Sequence, residues 1–146
     1  MYSVTKTGLA AEAYEIKGPP FRLVPIGKQR YSLLRPEAVE SAFVLWRVTR
    51  KQEYRDFGWS VFQALEKHSR RKGAGRGYAA VDDVMVDQHE TDGNRLDRLD
   101  SFFFAETLKY LFLLFSPRSL LPLDQYVLNT EAHPFPIVQR PPFVAG

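Results

Sequence analysis

The segment Leu99–Phe115, which contains DSFFFAETLKYLFLLF from Asp100 onward, constrains the fold more than any other part of this chain. It is apolar on most sides and is interrupted only by a few residues such as Glu106, Thr107 and Lys109. A helix without a polar face must be enclosed by other elements rather than lie half exposed. Its apolar runs, Phe102–Phe104 and Leu111–Phe115, fall well short of the roughly 20 residues a membrane span needs. Pro117 and Pro122 end it. Glu106, a lone acid on such a helix, is expensive to bury and needs a partner, a proton or a solvated cavity.

Two amphipathic segments can supply the enclosure. Pro36 at a first helical position, Glu37 and Glu40 in the opening turns, and apolar Val39, Phe43, Leu45, Trp46 and Val48 predict a helix to about Arg50. Gln52–Arg70 predicts a second, striped by Tyr54, Phe57, Trp59, Val61, Phe62 and Leu65, and the short connection makes the two antiparallel neighbours. Before them, residues 1–30 are punctuated by Gly8, Gly18, Pro19, Pro20, Pro25 and Gly27, an irregular leader with one short strand at Phe21–Val24 that wraps the scaffold. Between the second and third helices, a basic glycine-rich turn (Arg70–Gly77), a short alternating segment (Tyr78–Val86) and a polar stretch turning at Asp92-Gly93 read as a hairpin-like surface excursion. Gln125–Leu128 predicts a short strand, followed by a polar knot, Asn129–Pro134. Helix, short loop, helix with long excursions is the pattern of a toroid of helical hairpins.

Composition removes several function classes. With 45% hydrophobic and 25% charged residues, the 146-residue chain reads as one ordinary domain. A formal charge of +3 is too small for a dedicated nucleic-acid binder, and Arg70, Arg71, Lys72 and Arg76 lack interleaved aromatics, so they read as a solvated loop. The absence of cysteine excludes disulfides, thiolate-bound zinc and a thiol nucleophile. An EF-hand across residues 88–99 fails at its ends, Gln88 and Leu99. His68 and His89 are isolated in sequence and require no function; His133 has no further ligands at zinc spacing, and no nucleophile elbow occurs. No signal peptide and no Asn-x-Ser/Thr sequon is read.

What remains is carboxylates beside aromatics. Arg35 precedes a helix whose first turn holds Glu37, where an acid is also simply stabilised by the helix dipole. Phe102 and Glu106 are four apart on one helix, and Asn129-Thr130-Glu131-Ala132-His133-Pro134 crowds oxygen and imidazole groups into a short segment. Rings to stack on, carboxylates to hold hydroxyls and one carboxylate to activate water suit a sugar site.

In this order, Thr7-Gly8-Leu9-Ala10, LLRPEAVES (Leu33–Ser41), Arg55–Phe62 with Gly58-Trp59, DSFFFAETLKYLFLLF, and Leu123-Asp124 through NTEAHP resemble glycoside hydrolase family 47. These are the class I α-1,2-mannosidases that trim N-glycans. The resemblance implies that residues 1–146 are the C-terminal portion of a catalytic domain: mainly α, part of an (α/α)7 barrel with short β-hairpin excursions, incomplete in this chain. It implies inverting, calcium-dependent removal of terminal α-1,2-linked mannose from high-mannose N-glycans in the endoplasmic reticulum or Golgi. Membrane attachment would come only through a segment absent here, and the missing upstream part of the barrel is an expected partner.

By the same resemblance Glu37 is the general base, Arg35 helps place the sugar, and Phe102 is the floor under the terminal mannose. Glu106 and Glu131 hold hydroxyls and calcium-bound waters, and Thr130 binds Ca2+ through its carbonyl and side-chain oxygens, within a shell of about 6 to 8 oxygens. Two departures stand out. An inverting glycosidase needs an acid roughly 6.5 to 9.5 Å from the base, and the family's acid lies upstream of this sequence, with Asp82 and Asp83 poor substitutes. Asp100 stands where the family pattern usually has Glu. The chain alone is therefore expected to be inactive. The rival expectation is a non-catalytic mannose- or glycan-binding module, or a degenerate remnant, acting in glycoprotein quality control. A slice of a toroid should also expose apolar helix faces and self-associate.

Overall fold

The computed structural model describes residues 1–72 and 77–138, and these are mainly helical. Helix α1 spans Glu37–Thr49 and α2 spans Glu53–Ala64. Arg50 ends α1 in the left-handed conformation (φ 65°), its N–H donating to the Trp46 carbonyl, so three residues suffice to start the next helix. The second predicted helix does not continue in α geometry to Arg70: its last turn, Leu65–Ser69, is π-helical. The third shows the same feature at its other end, a π turn over Phe103–Leu108 running into α3, Lys109–Phe115. Leu99–Ser101 lie outside it, so this helix begins later than the apolar pattern suggests.

The core forms where α1, α2 and α3 meet. Phe43, Leu65, Phe103, Tyr110 and Leu114 are buried, each at most 1% exposed. Gly58 makes this approach possible, because a Cβ there would sit 2.3 Å from Leu114 Cδ2. Arg47 on α1 is buried as well. Its guanidinium donates to the carbonyls of Leu113 (3.3 Å), Arg118 (3.0 Å), Leu120 (3.1 Å) and Leu121 (3.3 Å), tying α1 to the C-terminal end of α3. Two residues counted in the apolar stripe of α1 turn outward instead: Leu45 is 41% exposed and Val48 is 73% exposed.

The leader holds a two-stranded antiparallel hairpin, β1 (Tyr14–Lys17) with β2 (Arg22–Pro25), in register Tyr14↔Pro25. The expected single strand thus has a partner, and the leader does wrap the scaffold, with Thr7, Leu9 and Ala11 buried. The expected surface excursion needs correction. Ala79, Ala80, Val81 and Val84 are among the most buried residues, and Val81 bridges both Ser32 and Arg95 without forming a ladder. The polar stretch after it turns at Asp92–Asn94 as expected; residues 73–76 of the basic loop, Arg76 included, lie outside the described residues. Strand β3 (Tyr126–Leu128) pairs with β4 (Pro134–Pro136), so the polar knot is a hairpin loop. Among the described residues no helix is long and apolar enough to cross a membrane.

Candidate functional site

The approach to α1 is held from two sides. Glu12 of the leader accepts the Leu33 N–H at Oε1 (3.1 Å) and Arg35 Nε–H at Oε2 (2.6 Å). Leu34, between them, is left-handed (φ 64°), and its carbonyl accepts the Thr107 hydroxyl from the third helix (2.7 Å). Buried Pro36 then opens the helix, and Glu37 stands exposed in its first turn, where unpaired N–H groups favour a carboxylate. The Arg35 guanidinium lies 5.6 Å from the centre of the Phe102 ring, a cation–π contact between two residues 67 positions apart. Its hydrogen bond to Glu12 holds the guanidinium proton more firmly, against the effect of burial. A cavity of about 350 Å³ opens beside them, lined by Tyr2, Glu12, Leu34, Arg35, Glu37 and Thr107 among others.

Glu106 sits in the π turn and is 7% exposed. Burial raises its carboxyl above the usual range first; the negative charges of Glu131, Glu37 and Glu40 push the same way, and Lys109 opposes them. Carboxyl groups from α1, the π turn and the β3–β4 loop thus share one field. Lys109 Nζ donates to the Ala132 carbonyl (3.0 Å), and the Tyr110 hydroxyl donates to Glu40 Oε1 (3.1 Å).

The β3–β4 loop is built by Asn129. Its Oδ1 accepts the N–H groups of Glu131 (3.1 Å) and His133 (2.8 Å), and its carbonyl accepts that of Ala132 (3.0 Å). Ala132 is fully buried at φ 56°, which anchors the loop and leaves Thr130 and Glu131 exposed at its tip. Among the described residues, no hydrogen bond engages the hydroxyl or carbonyl oxygen of Thr130.

The structure therefore brings Arg35 into contact with Phe102 and places Glu37, Glu106 and Glu131 in one electrostatic neighbourhood. Thr130 joins them only as the neighbour of Glu131, and Phe102, Glu106, Thr130 and Glu131 do not line the cavity at Glu37. Because Glu106 lies in a π turn, the four-residue spacing to Phe102 carries less weight than in an α-helix, since π geometry bonds residues five apart. Glu12, Thr107 and Tyr110 were not legible as site residues; each acts across more than twenty positions of sequence. Asp100 is engaged by Arg98 (Nη2–Oδ1 2.9 Å, Nε–Oδ2 3.1 Å), and Asp83 closes its own turn by accepting the Met85 N–H (2.8 Å).

His68 and His89 are not isolated in space. Their rings lie 5.6 Å apart, with Asp87 between them. Burial, with Lys67 adding to it, pushes the His68 imidazole down to about 4.

The sequence profile described as glycosyl hydrolase family 47 matches residues 1–137. The chain is 46% identical to mannosyl-oligosaccharide alpha-1,2-mannosidase IA of Drosophila melanogaster, over 93% of this chain and 19% of that protein. It is 42% identical to mannosyl-oligosaccharide 1,2-alpha-mannosidase MNS3 of Arabidopsis thaliana, over 94% of this chain and 24% of the relative. To the endoplasmic reticulum mannosyl-oligosaccharide 1,2-alpha-mannosidase of Schizosaccharomyces pombe it is 40% identical, covering 96% and 27%. The fold matches an alpha-1,2-mannosidase from Trichoderma reesei with a TM-score of 0.76 and 30% identity, over 94% of this chain and 31% of that one. The chain thus spans about a quarter of the length of the relatives it resembles. Its helices, its leader and its terminal hairpin belong to glycosyl hydrolase family 47.

Proposed function

We propose that this chain carries the base-bearing, sugar-holding side of an inverting, calcium-dependent α-1,2-mannosidase acting on high-mannose N-glycans of the secretory pathway. It corresponds in this reading to the C-terminal portion of a catalytic domain, part of an (α/α)7 barrel. The observation that carries the proposal is the convergence of Glu37, Glu106 and Glu131 in one field, beside Arg35 stacked on Phe102. The charges of Glu131 and Glu37 disfavour a charged Glu106, an effect that a bound cation would relieve.

The residues present suit calcium. Thr130 offers a hydroxyl and a carbonyl oxygen with no competing hydrogen bond among the described residues, and Glu131 and Glu106 supply carboxylates nearby. An all-oxygen donor set is the choice of a hard cation. Bound there, calcium would orient and polarise sugar hydroxyls and water.

Each remaining role belongs to the chain itself. Exposed Glu37 takes a proton from water in an inverting reaction, in which the base works on the face opposite the leaving group. Arg35 is held by Glu12, so its guanidinium keeps one orientation and can both lie on Phe102 and donate to a sugar oxygen. The ring of Phe102, half-buried, provides the flat apolar surface on which the faces of a pyranose pack. Burial, then the charges of Glu131, Glu37 and Glu40, raises the Glu106 carboxyl above its usual range; as a carboxylate it can accept hydrogen bonds from sugar hydroxyls. The acid that protonates the leaving oxygen is not among these residues, so hydrolysis requires a carboxyl group from outside them.

The test is a thermal melt of the purified chain in EDTA and in calcium, repeated with Thr130→Ala. A ligand that binds only the native state raises its melting temperature. An upward shift in the wild type that is lost in Thr130→Ala is expected. No shift, or the same shift in both, would overturn the calcium assignment; mannose binding that stays without hydrolysis when an acid-bearing upstream segment is supplied would favour a glycan-binding module.

A further inference from the structure

The π turn that continues α2 carries a buried polar side chain with no hydrogen-bond partner. His68, in the π turn Leu65–Ser69, is 3% exposed. Its Nδ1 makes no hydrogen bond, and its Nε2 lies 3.8 Å from Asp87 Oδ1, outside hydrogen-bonding range. A buried imidazole left unpaired is costly and asks for an explanation. Facing it, the segment 87–90 folds back on itself. His89 Nδ1 is 3.0 Å from Asp87 Oδ1, and His89 Nε2 is 2.8 Å from Glu90 Oε1. One donor atom from each of His68, Asp87 and His89 lies within 4.8 Å of the other two.

We propose that His68, Asp87 and His89 bind one divalent transition-metal ion, Zn2+ foremost, which clamps the loop after Val86 onto the end of α2. Two imidazoles and a carboxylate are a donor set that such ions favour over calcium. Tetrahedral zinc with bonds of about 2.0 to 2.2 Å brings its donors to about 3.3 Å from one another. The closure needed from the present spacing falls on Asp87 and His89, which sit on the outer loop, rather than on the buried helix end.

The surroundings fit this role. With Nδ1 of His89 on the metal, its Nε2–H faces Glu90, the carboxylate–histidine–metal arrangement that fixes a ligating tautomer. Arg95 Nη2 donates to the carbonyls of both Lys67 and His89 (3.4 Å each), pinning the two sides of the cluster together. Lys67 Nζ, 3.2 Å from Asp87 Oδ1, engages the same carboxylate and would compete with the cation. The site shares no residue with the all-oxygen neighbourhood of Thr130, so it stands or falls independently of the mannosidase reading.

The experiment is calorimetric titration of the whole chain with Zn2+ alone in saturating calcium, with Co2+ absorption as a reporter of nitrogen ligation. One ion per chain is expected, with affinity at least tenfold weaker in His89→Ala and in Asp87→Asn, and tighter in Lys67→Met. His89 and Asp87 lie on the outer loop, so these variants keep the fold, which circular dichroism checks. Unchanged affinity in His89→Ala, displacement of Zn2+ by calcium, or no saturable Zn2+ binding would overturn the proposal.

Discussion

Glu37 and Arg35 show how single residues are positioned by their anchors. Neither is buried, and both are aimed by groups that touch them or the turn before them: Glu12 on Arg35 and on the Leu33 N–H, Thr107 on the Leu34 carbonyl. If Glu37 is the base, Glu37→Gln in a mannosidase completed by an acid-bearing segment should lower kcat by orders of magnitude and leave KM nearly unchanged, because only proton transfer is lost. Steady-state kinetics on an α-1,2-mannobioside decides it, and wild-type turnover in the variant would remove Glu37 from the role. A second prediction concerns protons on half-buried tyrosines. Burial, then Tyr14 and Glu37, push Tyr2 up to about 12; burial, then the hydrogen bond to Glu66, push Tyr78 up to about 12. A pKa raised in the native state means that the unfolded chain loses the proton first. Stability should therefore be intact below about 10, the ordinary tyrosine value, and fall as pH rises toward 12. Denaturant midpoints between pH 8 and 11.5 measure this, and a flat profile would contradict it.

At the scale of elements, the three main helices were legible because their apolar periodicity is a local signal, helped by Pro36 before the first and Pro117 after the third. The two π turns were not: one extra residue per turn leaves the composition unchanged, and only the packing of the helix shows it. The segment Ala79–Val84 was misjudged as surface because it is too short for its alternation to reveal that both faces are covered. Its amides and carbonyls pair with Arg30, Ser32, Ser69, Asn94, Leu96 and Arg98, partners that no local pattern announces. Arg47 was equally hidden, a basic residue on an amphipathic helix that turns inward to four carbonyls. The planar fork of arginine reaches them together and a lysine ammonium cannot. Arg47→Lys should cost about 1.5 to 3 kcal/mol, the worth of a charge-assisted hydrogen bond that is not replaced. Chemical denaturation should show the midpoint fall; a loss below measurement error would mean that Arg47 acts through packing alone.

For the molecule as a whole, the exposed apolar surface is the leading feature. Val44, Leu45 and Val48 on α1, and Phe104, Phe112 and Phe115 along the third helix, are between 36% and 73% exposed. Trp59 of α2 is half exposed and packs edge-on against Phe115, and with Phe62, Phe112 and Leu108 it lines an open apolar groove. Apolar groups of this size and number in water favour association. Purified alone, the chain should self-associate as its concentration rises, and sedimentation velocity should show species heavier than 16.8 kDa. A single sharp monomer boundary across the concentration range would refute this.

Family membership and the helices that carry it were readable from sequence, because a helix is encoded by neighbours three and four positions apart and a family by segments in fixed order. The carboxylates were also in view as residue types, but only the family resemblance, and no local pattern, brought them together. Glu106 feels Glu131, Glu37 and Glu40 only because the π turn, α1 and the terminal hairpin close on one another. The same holds for His68 and His89, isolated along the chain and 5.6 Å apart in the fold. Coulomb forces and ligand geometry act over a few ångströms of space, and sequence distance says nothing about which groups come that close.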